Sequence, residues 1–249
     1  FGHGQGVTRL ELRESTPVAT DGRDAIAISS WDAGEAVVEN GVIRSEFGLH
    51  AGETALLALS GVHGSPIHFQ PRDGIELRLE GTIVAWKRWL RGQGAYDGPW
   101  KEAVLRSVLV LKLLIHTPTG AITAAPTTSL PERIGGDKNY DYRYAWVRDS
   151  SFTLDALLRL GYHEQAHESF TCLLGALESK HPRVQPIYTI TGDLLTEERQ
   201  LDLPGYRNSR PVRVGNDAAD QLQLGGYGAL LATTWHYVRD GNMLDERTG

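Results

Sequence analysis

The stretch that most constrains this chain runs from Gly120 to Asp149, GAITAAPTTSLPERIGGDKNYDYRYAWVRD, where aromatics, carboxylates and cations lie between two apolar helical patterns. Tyr140, Tyr142, Tyr144 and Trp146 alternate with Asp141, Arg143, Ala145 and Val147, so an extended backbone puts the rings on one face. Rings of this kind stack on the flat C–H faces of a pyranose, and carboxylate and guanidinium groups bind its belt of hydroxyls. Arg148 and Asp149 sit where the pattern turns helical, with Phe152, Leu154, Leu157 and Leu158 following. Asp149 suits the first turn of that helix, where unpaired backbone N–H groups and the helix dipole favour an anion. The residues alone leave a second reading open, in which Asp149 only caps the helix and the rings are the core of a half-buried strand.

Composition narrows the setting. A chain of 249 residues with 41% hydrophobic side chains can bury one large core or two ordinary ones. With 25 basic and 31 acidic residues the net charge is −6, and no concentrated basic patch offers itself to a phosphate backbone, which argues against nucleic acid as a partner. The single cysteine, Cys172, excludes an intrachain disulfide and lies in an apolar helical run, where it is expected as a buried small hydrophobe. No apolar run approaches the roughly 20 residues that span a bilayer, so no membrane partner is expected. No charged-then-apolar leader opens the chain, and a cytoplasmic location is expected, although a start at Phe1 also suits a secreted protein that has lost its leader.

Residues 1–85 read as an antiparallel β region, the pieces of a β-sandwich. Leu10 and Leu12 alternate with charges, and Asn40-Gly41 separates two apolar runs, the strongest short-range hairpin signal. Leu56 to Leu59 suggests a further strand, and Ile75, Leu77 and Leu79 alternate with charged residues as another. Residues 86–100, rich in tryptophan and ending in a glycine turn, read as a linker, in which Trp86 and Trp89 are expected to pack rather than to bind sugar. Residues 101–249 read as helical. A first helix, about Lys101 to Ile115, is apolar nearly all round and therefore expected to be buried. Three more follow, at about Val147–Leu160, Glu164–Leu177 and Ala218–Val238.

Two further segments carry candidate chemistry. His163-Glu164-Gln165-Ala166-His167 matches the H-E-x-x-H zinc motif, but that motif needs an established helix through both histidines. Gly161 ends the preceding helix just before it, so no metal site is expected. The loop from Tyr188 to Asn216 carries Glu197, Glu198, Arg210, Arg213 and Asn216 ahead of a helix, and loops longer than about 15 residues in a compact domain are usually functional. An alternative is that Arg213 and Glu198 pair simply to hold the loop.

The stretch around Tyr140–Asp149 resembles the signature of glycoside hydrolase family 15, the glucoamylase-type enzymes, in the prokaryotic form that includes some trehalases. The resemblance continues in RSVLVLKLLIHTPTGAITAAPTTSLPE (Arg106–Glu132) and in LPGYRNSRPVRVGNDAADQLQLGGYG (Leu203–Gly228), three matches in the right order over about residues 86–240. It implies an N-terminal β-sandwich, only part of which is here, followed by an α/α toroid of which this chain supplies the first four helices. It implies a substrate-binding set of Tyr142, Trp146, Arg148, Asp149, Arg213 and Asn216, no cofactor, and an α-glucoside as substrate. The family draws its catalytic acid from a tryptophan-glutamate-x-arginine segment and its base from a glutamate near the end of the barrel. Neither is present, so no catalytic residue is expected within the chain. Gly225 stands where the family has an aspartate, and with Gly226 it weakens a helix there by about 1 kcal/mol per glycine. The activity implied is inverting, exo-acting release of glucose, glucoamylase-like on malto- or isomalto-oligosaccharides, with trehalase as the alternative. A reading of another class is a non-catalytic sugar-binding or interaction fragment.

If the acid and base lie elsewhere, these 249 residues expressed alone release no glucose from maltose or trehalose. Apolar helix faces without neighbours also drive self-association, to be read by sedimentation. A monodisperse, cooperatively melting monomer counts against the second expectation. Glucose release abolished by mutating a glutamate within the chain counts against the first.

Overall fold

A computed structural model describes residues 1–2, 6–91, 96–178, 183–195 and 197–244. The chain divides into two units, Phe1–Lys87 and Arg88–Gly249. The first is built on an antiparallel sheet of β1 (Arg9–Arg13), β2 (Thr16–Asp21), β3 (Asp24–Trp31) and β6 (Leu56–His63), in the order β1-β2-β3-β6. A separate hairpin joins β4 (Val37–Glu39) to β5 (Val42–Arg44). Its turn is the expected Asn40-Gly41, both residues with positive φ, the backbone that matches the twist of paired strands. Burial alternates strictly along β6, which leaves Leu57 and Leu59 exposed on one face of the sheet, while Val18 and Ala27 are buried. The antiparallel sheet is thus present as four strands, with the β4–β5 pair as a second, separate sheet that contacts β1.

Two expectations about the end of this region fail. Ile75, Leu77 and Leu79 lie not in a strand but in α1 (Arg72–Arg91), which also takes up the first six residues of the supposed linker, 86–91. Over five residues, alternation and helical spacing share positions i and i+4. The longer window decides for helix: Ile75, Leu79 and Ile83 recur every fourth residue, Asp73 sits in the first turn, and Arg88 and Arg91 sit in the last. Arg72 also bonds Glu76 one turn on, at 2.8 Å. None of the α1 residues is buried.

In the second unit α2 (Lys101–Leu114) stops where the Thr117–Gly120 breakers begin. Its expected all-round burial is not found. Only Val108 is buried, and Val110 and Leu113 are exposed because no described element covers that side. β7 (Ala145–Trp146) leads directly into α3 (Val147–Arg159). That helix closes at Gly161, whose positive φ lets its own N–H reach Leu158 and that of Tyr162 reach Leu157. α4 (His163–Glu178) follows, then β8 (Ile187–Tyr188), β9 (Arg199–Leu201), β10 (Val212–Val214) and α5 (Leu224–Arg239). The last helix begins six residues later than the sequence suggests. Residues 217–220 form a short 3-10 turn, and the chain then extends at Gln221 before the glycine-rich first turn of α5.

The core gathers on α3, which packs against both α4 and α5. Leu154, Leu157, Phe170, Tyr162, Tyr188 and Tyr237 are nearly or fully buried there, with Phe170 against Tyr237 at 4.4 Å and Trp89 stacked on Tyr162 at 4.6 Å. Cys172 is only half-buried, less enclosed than expected, and burial raises its thiol pKa. Among the described residues no helix is long and apolar enough to cross a membrane.

Phe170→Ala is expected to destabilise the second unit by about 3–5 kcal/mol in denaturant unfolding, whereas exposed Leu113→Ala stays within about 0.5 kcal/mol. Burial raises the hydroxyl pKa of Tyr162, Tyr188 and Tyr237 above the ordinary value. The folded state therefore holds protons that the unfolded state releases near pH 10. Their contribution is full below about pH 10 and is lost as the pH climbs through the folded values. Unfolding free energies that hold steady from about pH 7 to 9 and fall above 10, together with late tyrosinate absorbance, check this.

Candidate functional site

The central side chain of the site is one the sequence reading did not single out. Asp141 is completely buried, and its carboxylate accepts four hydrogen bonds. Oδ1 takes the Arg143 backbone N–H (3.2 Å) and Nε (2.8 Å), and Oδ2 takes Arg143 Nη2 (2.7 Å) and the Gly215 N–H (3.2 Å). The Asp141 carbonyl accepts from Asn216 Nδ2 at 3.1 Å. Alternation assigns Asp141 to a charged face, and only the spacing Asp-x-Arg hints at the local fork it makes with Arg143.

This anchoring shapes the aromatic run. The backbone of 140–144 pairs irregularly with 124–129, through Ala124 N–H to Tyr144 O, Ala125 N–H to Tyr142 O and Ser129 N–H to Tyr140 O, and β7 then pairs with β8. The rings of Tyr140, Tyr142 and Trp146 consequently face one cleft, with centroids 6.2 Å apart for the first pair and 5.6 Å for Tyr142 and Trp146. Tyr144 leaves the row. Its hydroxyl accepts from the Gly215 N–H at 3.2 Å, and burial followed by the Asp141 charge raises its pKa.

The opposite wall comes from the loop that ends at Asn216. β9 and β10 pair with Arg213 opposite Gln200, and Gly215, at φ +88°, brings the chain against residues 197–198 so closely that a Cβ there would fall on the Glu197 carbonyl oxygen. Arg213 Nε forms an ion pair with Glu198 Oε1 at 2.7 Å, both side chains mostly buried. Arg213 also donates from Nη1 to the carbonyls of Asp137 and Asn139 and lies 5.3 Å from the Tyr140 ring centroid. Asn216 caps the 3-10 turn by accepting from the Ala218 N–H at 2.9 Å.

The resulting cleft of about 360 Å³ brings together Tyr142, Trp146, Arg213 and Asn216 of the expected set, and adds Tyr140, Glu198 and Gln221. The Arg213–Glu198 pairing weighed above as a loop brace is therefore present and faces the cleft as well. Arg148 and Asp149 do not line it. They sit side by side in the first turn of α3, Nη2 to Oδ2 at 3.3 Å and each about half-exposed. Asp149 is still near enough to matter: the Tyr142 hydroxyl pKa is raised first by burial and then by the charges of Glu132 and Asp149 among others. Tyr142 thus stays protonated at neutral pH and keeps an O–H to donate. No capping hydrogen bond is made by the Trp146 side chain, which precedes α3.

In the H-E-x-x-H segment, His163 is the first residue of α4 and pairs with Asp240 at 2.8 Å, and His167 Nδ1 contacts the Tyr237 hydroxyl. Among the described residues no three His, Cys, Asp or Glu side chains gather to hold a metal ion.

Asp141→Ala is expected to cost about 1–3 kcal/mol, most of it from the Arg143 guanidinium, which is two-thirds buried and loses both side-chain bonds, since the Gly215 N–H keeps the Tyr144 hydroxyl as an acceptor. Removing the exposed Arg148 side chain should cost less than about 1 kcal/mol. Denaturant unfolding and amide exchange at Gly215 measure both, and equal effects of the two substitutions would refute the assignment of Asp141 as the anchor.

The comparisons with known proteins agree on one family. Glycosyl hydrolases family 15 matches residues 98–248. The chain is 42% identical over 191 residues to a trehalase of Thermoplasma acidophilum, covering 76% of this chain and 32% of that protein. It is 36% identical over 214 residues to a trehalase of Mycolicibacterium smegmatis (84% and 32%) and 40% identical over 172 residues to Trehalase 1 of Sulfolobus acidocaldarius (68% and 30%). It spans about a third of the length of these relatives. No solved structure matches. With more than half of its residues matched by one family and long relatives above 30% identity, the chain belongs to glycosyl hydrolases family 15.

Proposed function

We propose that this chain is the part of an inverting exo-acting α-glucosidase that grips the terminal glucose, and that its substrate is α,α-trehalose. The observation that carries the reading is the cleft itself, where the Tyr142 and Trp146 rings stand across from the Arg213–Glu198 pair and Asn216. Rings offer stacking to a pyranose face, and the charged and amide groups offer hydrogen bonds to its hydroxyls. Arg148 and Asp149, at the mouth of α3, complete the hydroxyl-binding set. The helices α2 to α5 are taken as the first members of an α/α toroid that starts near residue 101, and the catalytic acid and base as lying outside these residues. The relatives named as trehalases turn the choice of substrate away from the malto- and isomalto-oligosaccharides favoured on sequence alone.

The complete polypeptide that carries this chain is expected to release glucose from trehalose at least tenfold faster than from maltose or isomaltose, about 1.4 kcal/mol in the barrier. Faster release from maltose would return the reading to a glucoamylase-like enzyme. Asp149→Ala there should lower kcat/KM by about one to two orders of magnitude, the worth of a charged hydrogen bond of about 1.5–3 kcal/mol. Unchanged kcat/KM in a stable variant would leave Asp149 with a purely structural place at the helix start.

A further inference from the structure

A second cleft lies within the first unit, measures about 430 Å³, and is bounded by the β1–β2 turn, the end of β3 and the segment leading into α1. Trp31 and Phe69 contribute two aromatic rings, one half-buried and one 37% exposed. Glu14, Ser29, Ser30 and Gln70 contribute a carboxylate, two hydroxyls and an amide. Among the described residues none of these four side chains has a hydrogen-bond or ionic partner, so donors and acceptors of both kinds are free beside the rings.

The walls are held in place. Glu14 and Ser15 both take positive φ, as a two-residue turn between paired strands requires, which fixes Glu14 at the rim. Asp32, directly after Trp31, bonds Arg72 Nη1 at 2.5 Å, and Arg72 in turn bonds Glu76 at 2.8 Å. The end of β3 and residues 69–71 are thereby tied together on either side of the opening.

We infer that this cleft is a second saccharide-binding site, separate from the proposed glucose site, which takes a neutral oligosaccharide of one to three pyranose units. Aromatic ring faces beside unpaired hydroxyl, amide and carboxylate groups fit a ligand with apolar faces and a hydroxylated edge. The single carboxylate disfavours an anionic sugar.

Calorimetric titration of the chain with trehalose and with maltotriose tests the inference, since binding is read without catalysis. Saturable binding is expected to persist in Tyr142→Ala, where the other cleft is impaired by loss of a partly exposed ring. Trp31→Ala in that background should weaken it about tenfold, the loss of one stacked ring. Because Trp31 is half-buried, Phe69→Ala is the second variant; its exposed ring can be removed with the melting temperature unchanged, and it should weaken binding several-fold. Absence of saturable binding by either sugar would overturn the inference. So would binding that Tyr142→Ala abolishes, or binding that Phe69→Ala leaves unaltered.

Discussion

The candidate cleft of the second unit depends on burying one carboxylate and satisfying it completely. A lone ionised carboxylate away from water is costly, and Asp141 escapes that cost only because Arg143, two residues on, and Gly215, from a segment 74 residues away, both donate to it. Once those bonds exist, the rest of the geometry is constrained. Arg143 turns inward, Tyr140 and Tyr142 are left facing the cleft, and Gly215 pulls Arg213 and Asn216 to the opposite wall. The Asn216 side chain then closes the arrangement on the Asp141 carbonyl. One residue with no exposed surface thus determines where the exposed ones stand.

Much of this was readable from local chemistry and some of it was not. Asn40-Gly41, Gly161 and the Thr117–Gly120 breakers mark their turns and helix ends because positive φ and missing donors act over a few residues. The strand expected at Ile75–Leu79 failed because two periodicities coincide over so short a window, and the late start of α5 reflects the 3-10 turn capped by Asn216. The burial expected for α2 rested on its composition, whereas burial depends on what packs against a helix. Within the cleft, Tyr142, Trp146, Arg213 and Asn216 could be named in advance because they match by position the pattern of the family the chain resembles. Asp141 could not, since its decisive partner is a backbone N–H distant in sequence, and no pattern along the chain encodes that meeting.

Electrostatics around Tyr142 give the cleft a sign. Glu132 and Asp149 both act to keep its hydroxyl protonated, and Glu198, matched by Arg213, and Asp217 add carboxylates in the cleft lining itself. The lining thus combines carboxylate acceptors with the Arg213 guanidinium, side-chain amides and a neutral tyrosine hydroxyl as donors.

The bridge at Gly215 also bears on the order in which the molecule assembles. α3 and α4 are adjacent in sequence and can dock after closing a connection of only a few residues. The wall carrying Glu198, Arg213 and Asn216 must instead find Asp141 across a long intervening chain, where hydrogen bonds to Asp141 join the burial of Leu201, Val212 and Ala219 in holding it. On loop-closure grounds alone, that wall is expected to form after the α3–α4 pair, so the cleft is the part of the second unit whose assembly waits longest on the chain.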